Sequence, residues 1–338
     1  MTLTKEDRPQ KATAGDVAML AGVSKWTVSR AFTPGASISA KARERVLAAA
    51  RTLGYRPNLL ARSLSKKRTH IIGVAIDQMK NPHSMRWLEV VTRQLQARGY
   101  MALLLNIDEG ENYRAVMAMA DQLQVDGILF LGTVLTDELI AIAQEMYCIP
   151  LVQVGRNSDH PSIQAINLDG RRAGREIAEL LLAQGHRRFG YMKGPDTATS
   201  HSFRMDGYRD GLTEAGKDIE LLLVTGRYER DVAYRIMSEY LLSTPVDEWP
   251  DALFCENDIL AVGVLDALHE RKGERNIAVV GFDDIDEAST SRLQLTSYNQ
   301  RTDRLITEAL NRLIDGRAIE EGDWRHGELK IRRSHLKQ

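Results

Sequence analysis

Between residues 13 and 54 apolar side chains recur three times at helical spacing, each time bounded by residues that start or stop a helix. Thr13 to Ala21 places Val17, Ala18 and Ala21 on one face. Gly22-Val23-Ser24 follows as a tight turn, with Gly22 suited to the left-handed end of a helix and Ser24 to capping the next. Lys25 to Phe32 aligns Val28, Ala31 and Phe32 and leaves Lys25, Trp26, Ser29 and Arg30 on its outer face. A third helix is predicted from Ala40 to Leu53, capped by Ser39, striped by Val46, Ala50 and Leu53, and stopped by Gly54. Two short helices across a three-residue turn, the second with a basic and polar outer face, predict a helix-turn-helix.

After residue 70 the pattern changes to strand alternating with helix. Strand-like runs are Ile71–Ile76, Ala102–Ile107, Gly127–Leu131, Leu151–Val154, Ile163–Asn167, Phe189–Met192, Leu221–Val224, Ala252–Phe254 and Ile277–Gly281. Helical stretches lie between nearly all of them, as at Ala173–Leu182, where Ile177, Leu180 and Leu181 share a face. Such alternation predicts parallel sheets covered by helices on both sides. The number of units exceeds one comfortable sheet. Two similar subdomains are expected, with a ligand cleft between them at the carboxyl ends of the strands.

Charge divides the chain at the same place. Residues 1–70 hold 14 Lys or Arg against 4 Asp or Glu, and the remainder holds 31 against 42. A plain bundle of three amphipathic helices does not account for that asymmetry, which is the footprint of a nucleic-acid-binding head. At 43% hydrophobic and 27% charged residues, the composition is globular. No apolar run approaches the ~18 residues that cross a bilayer, and the polar, charged N-terminus is no secretory signal. Cys148 and Cys255, each in an apolar segment, read as buried free thiols in a reducing cytoplasm.

Residues placed just after strands are the candidates for the cleft. They are Asp77, His83 in Asn81-Pro82-His83-Ser84, Arg156 after Gly155, Arg204, Tyr228, Asn257 before Asp258, and Asp283 before Asp284. Hydroxyl-rich ligands need such a set: carboxylates to accept, guanidinium and amide groups to donate, and an aromatic face for the apolar side of a ring. Asp258 and Asp284 read first as helix N-caps, and the bland alternative for Arg204 is a buried salt bridge. An enzyme of doubly wound type with a basic accessory domain is the competing class. It finds no phosphate loop, zinc pair, nucleophile elbow or dinucleotide fingerprint, and no cofactor or metal is expected.

Asp16-Val17-Ala18, Gly22-Val23-Ser24, Thr27-Val28-Ser29-Arg30, Gly54-Tyr55, Pro57-Asn58, and Ala61 with Leu64 resemble the lactose-repressor family of bacterial transcription regulators, and further matches run to about residue 335. The resemblance implies an all-α helix-turn-helix head (residues 1–57), a hinge (58–70) and a periplasmic-binding-protein-like body (71–338). In the body the chain would cross three times between doubly wound subdomains, one of about 71–161 plus 297–322, the other of about 162–296 plus 323–338. It further implies a cytoplasmic homodimer on double-stranded operator DNA, away from any membrane. Base and backbone contacts would come from Lys25, Trp26, Thr27, Ser29, Arg30, Asn58, Ala61 and Leu64. Arg204, Asn257 and Asp283 match the family's effector contacts, and Tyr228 lies where it places a stacking aromatic. At His83 many relatives carry an aromatic, so no particular sugar specificity transfers. The implied function is a repressor released by a small sugar or sugar-derived effector; a corepressor-dependent response remains the alternative. Paired Leu64 side chains would wedge into a minor-groove step, and unstacking such a step costs a few kcal/mol. Leu64→Ser is therefore expected to weaken binding to a selected operator and to leave random duplex binding unchanged. Equal loss on both DNAs in a titration would count against the wedge.

Overall fold

A computed structural model describes residues 11–33, 35–57, 68–107, 113–132, 137–145, 149–158, 163–195, 200–271, 275–317 and 322–337. The expected hinge contacts Asn58, Ala61 and Leu64, and Cys148, lie outside these residues. The chain divides into two compact units, Met1–Thr69 and His70–Gln338.

In the first unit α1 (Ala14–Ala21), α2 (Lys25–Ala31) and α3 (Ala40–Leu53) form where the periodicity puts them. Hydroxyls cap all three: Thr13, Ser24 and Ser39 accept the backbone N–H of Asp16, Thr27 and Ala42. The Asp16 carboxylate in turn accepts the Thr13 backbone N–H at 2.8 Å, a reciprocal box that holds the Asp16 carboxyl below its ordinary range. Gly22 and Gly54 end α1 and α3 in left-handed conformations. Val17, Ala18, Ala21, Val28, Ala31 and Val46 are buried together. Leu53 departs from the expected stripe. It is 37% exposed, and Ala49 joins the core instead. Its angle on the helix is right, but the last turn of α3 runs past the small core that α1 and α2 supply.

The second unit is built on two sheets. The first runs β2-β1-β3-β4-β6, from β1 (Ile71–Ile76), β2 (Met101–Asn106), β3 (Gly127–Leu131), β4 (Leu151–Val154) and β6 (Gln164–Ile166). Every pairing in it is parallel. Its helices are α4 (Pro82–Ala97), α5 (Tyr113–Gln122) and α6 (Asp137–Glu145). Side chains alternate along each strand: Leu129 and Leu131 of β3 pack with Trp87 of α4, whereas Ile128 and Phe130 pack with Met117 and Leu139 of α5 and α6. Burial on both faces is what made these strands read as continuous apolar runs.

The short strand β5 (Asn157–Ser158) leads toward the second layer, which begins with α7 (Gly170–Ala183). That layer contains β7 (Phe189–Lys193), α8 (Arg204–Glu214), β9 (Ile219–Val224), α9 (Arg230–Ser243), β10 (Ala252–Cys255), α10 (Asp258–Glu270) and β11 (Ala278–Phe282). With β12 (Thr296–Asn299) and β13 (Glu328–Lys330) the sheet order is β13-β12-β11-β10-β7-β9. The antiparallel β13 and the strand β12 are not foreseen from the pattern, because Thr296-Ser297-Tyr298-Asn299 carries no apolar run. A small antiparallel pair joins β5 to β8 (Ser200–His201), bringing a loop of each layer together. Between β12 and β13, α11 (Thr302–Asp315) returns to pack on β3 and β4.

The strand β6 stays in the first sheet beyond residue 161, and β12 stays in the second beyond residue 297. Among the described residues no helix is long and apolar enough to cross a membrane.

Candidate functional site

The outer face of α2 presents Lys25, Trp26 and Ser29 to solvent, Trp26 being 67% exposed. Arg30 lies back over the indole one turn away, its Cζ 4.4 Å from the ring centre, while its Nε donates to the Ser37 carbonyl at 2.8 Å. Two contacts therefore orient the guanidinium and leave its terminal nitrogens as the fork for a partner. Trp26 packs on Arg30 rather than on a neighbouring helix. The Thr27 hydroxyl lies 3.0 Å from that of Ser24, so it is tied to the start of the helix.

In the body, fifteen residues line one cleft between the layers, among them Gln78, His83, Trp87, Arg156, Arg204, Tyr228, Asn257, Asp283 and Gln300. About 510 Å³ lies between its walls, part of it open to solvent.

The first layer supplies one wall. Asn81 caps α4 by accepting the His83 N–H at 3.1 Å, and Pro82 opens the helix with a preset backbone angle. His83 is buried and accepts the Trp87 indole N–H at Nε2. Burial, with Arg204 and Arg86 nearby, holds its pKa well below the ordinary value. Trp87 closes against Gly155, where an added Cβ would stand 2.5 Å from the indole and φ is +88°. Only glycine fits there. Arg156 follows, buried, its two Nη atoms donating to the Tyr228 hydroxyl (3.3 Å) and the Pro195 carbonyl (3.2 Å) across the cleft.

The second layer supplies the other wall. Arg204 opens α8, 7% exposed, with Nη1 on the Glu256 carbonyl at 2.6 Å and Cζ 3.7 Å over the Phe282 ring. Among the described residues no carboxylate lies within ion-pair distance of it, so the salt-bridge alternative fails. Glu256 is itself buried and accepts the Ser202 hydroxyl at 2.9 Å and the Gly194 N–H. Asn257 caps α10 with its side-chain oxygen, 3.1 Å from the Leu260 N–H, which leaves its NH₂ as the group it offers. Tyr228 is half-buried; burial first, then the charge of Glu256, raises its pKa. Asp283 is 5% exposed and accepts Gln300 Nε2 at 2.5 Å, with His83 Nε2 3.6 Å away. Burial raises its carboxyl to about 6 against the pull of Arg204, Gln300 and Arg86.

Six of the seven expected residues thus meet in one cleft: His83, Arg156, Arg204, Tyr228, Asn257 and Asp283. Asp77 does not line it; its neighbour Gln78 does. Neither expected cap holds. Asp258 sits one residue inside α10, where Asn257 is the cap, and Asp284 bonds Arg332 instead of a helix start. The sequence reading missed Gln300, Trp87 and Ser202. Gln300 follows β12, itself unseen, and Trp87 reads as helix core.

A three-helix head whose second helix has a basic and polar outer face, with a two-sheet body holding a polar cleft, defines a ligand-responsive DNA-binding protein. Residues 69–312 match the family described as periplasmic binding proteins and sugar binding domain of LacI family. Residues 13–58 match bacterial regulatory proteins, lacI family. The ribose operon repressor of Escherichia coli (strain K12) is 35% identical over 311 residues, 90% of this chain and 92% of that one. The HTH-type transcriptional repressor PurR of Erwinia tasmaniensis is 31% identical over 309 residues, 90% of each. Among solved structures, the lac repressor dimer bound to operator and the anti-inducer ONPF aligns with a TM-score of 0.84 at 25% identity, covering 97% of this chain and 100% of that one. The CelR–cellobiose complex aligns at 0.68 and 27%, with 97% and 100% covered. The chain belongs to the LacI family and is a ligand-responsive, DNA-binding transcription regulator.

The raised carboxyl of Asp283 has a consequence for stability. Its folded pKa exceeds its unfolded one, so the proton favours the fold: that stability is complete below the unfolded value near 3.8 and is lost as pH rises through about 6. Asp283→Asn lacks this loss. Relative to the parent, it is expected to gain about 2 kcal/mol between pH 4 and pH 7.5. Parallel urea titrations at the two pH values measure the gain, and a constant difference would contradict the assignment.

Proposed function

We propose that the cleft is the effector site, that the outer face of α2 reads the operator, and that the chain regulates as a cytoplasmic homodimer without catalysing a reaction. The convergence of Arg204, Asn257, Asp283 and Gln300 on one cleft with Arg156 and two aromatic rings carries the effector assignment. Donors, an acceptor and an apolar face are what a small polyhydroxylated ligand requires. The cellobiose complex and a repressor named for the ribose operon connect sugars with the same body. The proposed ligand is a sugar or a sugar derivative. In the lac repressor dimer on operator, two copies pair, and here two heads would read adjacent half-sites.

A thermal-shift screen of the full chain against pentoses, hexoses, sugar acids, polyols and purines identifies the ligand class, since a ligand of the folded state raises the melting temperature. Arg204→Ala is then expected to keep DNA binding and lose the effector response. Unchanged calorimetric heat for the hit in that variant would remove Arg204 from the site.

For the head, Arg30→Ala is expected to lose roughly 1–3 kcal/mol of discrimination at one base position. Site selection from a random duplex library, followed by titration on selected and scrambled DNA, measures it. A parental ratio of specific to random affinity would exclude base reading by Arg30.

A further inference from the structure

Asp284, beside the cleft carboxylate, is bonded at four polar positions. Its N–H donates to Ser297 Oγ at 3.0 Å, and its carbonyl accepts Arg86 Nη1 at 2.9 Å. Its Oδ1 accepts Arg332 Nη2 at 2.6 Å, and its Oδ2 accepts Asn299 Nδ2 at 2.9 Å. Ser297 and Asn299 belong to β12, and Arg332 follows β13, so three partners share the second layer with Asp284. Arg86 does not. It stands on α4 of the first layer, and its bond to Asp284 exists only while the walls keep this separation.

The turn so held is a strained one. Asp283 has φ 111° and Asp284 φ 54°, consecutive non-glycine residues in territory that persists only where the surroundings over-determine it. Further ties are the Asp283 N–H to the Tyr298 carbonyl at 2.9 Å and the Ile285 N–H to Asp258 Oδ2 at 2.9 Å. The outcome is the aim of the Asp283 carboxylate at Gln300 and past His83.

We propose that Asp284 is the node through which closure of the cleft reaches the carboxylate of Asp283, with Arg86 and Arg332 as positioning residues acting through it; this rests on the cleft being the effector site. When the walls part, Arg86 leaves the Asp284 carbonyl and the strained turn loses a tie from the opposite wall. When a ligand draws them together, the bond re-forms and restores the aim of Asp283. Arg332 fixes the other side of the turn. Its Nη1 holds the Leu295 carbonyl at 2.7 Å and its backbone N–H the Thr296 hydroxyl at 2.8 Å, so the fork is oriented where it meets Asp284.

Hydrogen–deuterium exchange on the full chain, with nothing added, tests this without any ligand. Arg86→Met is expected to speed exchange of the Asp284 and Ile285 amides roughly tenfold while α7 and β10 keep parental rates. Arg332→Met is expected to do the same, and Arg332→Lys, which keeps a cation in reach of Oδ1, to restore most of the protection. A second readout is the titration of Asp283, taken from the stability difference between each chain and its Asp283→Asn counterpart across pH. The charges facing Asp283 are Arg204 and Arg86, with Asp258 behind the turn and His83 held neutral. Loss of Arg86 should therefore move the Asp283 midpoint upward. Exchange unchanged in the turn, exchange raised equally throughout, or an unmoved midpoint would each overturn the proposal. Because no ligand enters these measurements, their failure is distinct from failure of the effector assignment, which the calorimetry of Arg204→Ala decides.

Discussion

A carboxylate shut away from water is tolerated only when its oxygens are bonded, and at Asp258 that requirement organises the second wall of the cleft. One oxygen accepts the Ser297 hydroxyl at 2.7 Å and the other the Ile285 N–H at 2.9 Å. Three things are tied at one point: the start of α10, strand β12, and the turn that carries Asp283. Burial, with the charge of Asp283 adding to it, pushes the Asp258 carboxyl up, while its two hydrogen bonds pull the other way. The close approach needs a glycine. A Cβ on Gly281 would stand 2.0 Å from the Asp258 oxygen, so the residue before Phe282 is part of the same arrangement as the acid it admits.

The cleft extends that logic to charges of the opposite sign. Arg204 is held by a main-chain carbonyl and an aromatic face rather than by a carboxylate. A guanidinium so placed is oriented without being neutralised by an ion pair, which leaves its electrostatic pull available to a ligand oxygen. Glu256, directly after β10, balances the region from below through bonds to Ser202 and Gly194. Across the gap His83 is kept neutral by burial, with Arg204 and Arg86 nearby, so it adds no charge to the facing wall. Arg204, Asn257 and Asp283 are thus each held in place by a protein partner. That is how a small site becomes preorganised before anything binds.

Most of the architecture was legible because it rests on local chemistry. Thr13, Ser24, Ser39, Gly22 and Gly54 punctuate the head through bonds that span three or four residues, and the caps appear where those residues stand. The doubly buried strands announce themselves as apolar runs. What was not legible depends on partners far away in the chain. Strand β12 has polar side chains because Ser297 and Asn299 serve Asp258 and Asp284 rather than a core. Asp284 looked like a cap because an acid before a short helix usually is one, and only Arg332, nearly fifty residues on, makes it an ion-pair partner. The cleft residues stood near the strand ends where they were sought, but that Gln78 rather than Asp77 lines the cleft is not encoded in the pattern.

The charge division acquires meaning once both sites are in view. Residues 1–70 carry 14 of the chain's 45 basic residues against 4 acidic ones, while the rest of the chain is net acidic. Phosphates are drawn to the head and repelled by the body. Screening confines such charge effects to about 8 Å at physiological ionic strength. Counterion release through the head supplies affinity that ignores sequence, whereas Arg30, steadied by Trp26 and Ser37, presents a fork whose orientation is set before DNA arrives.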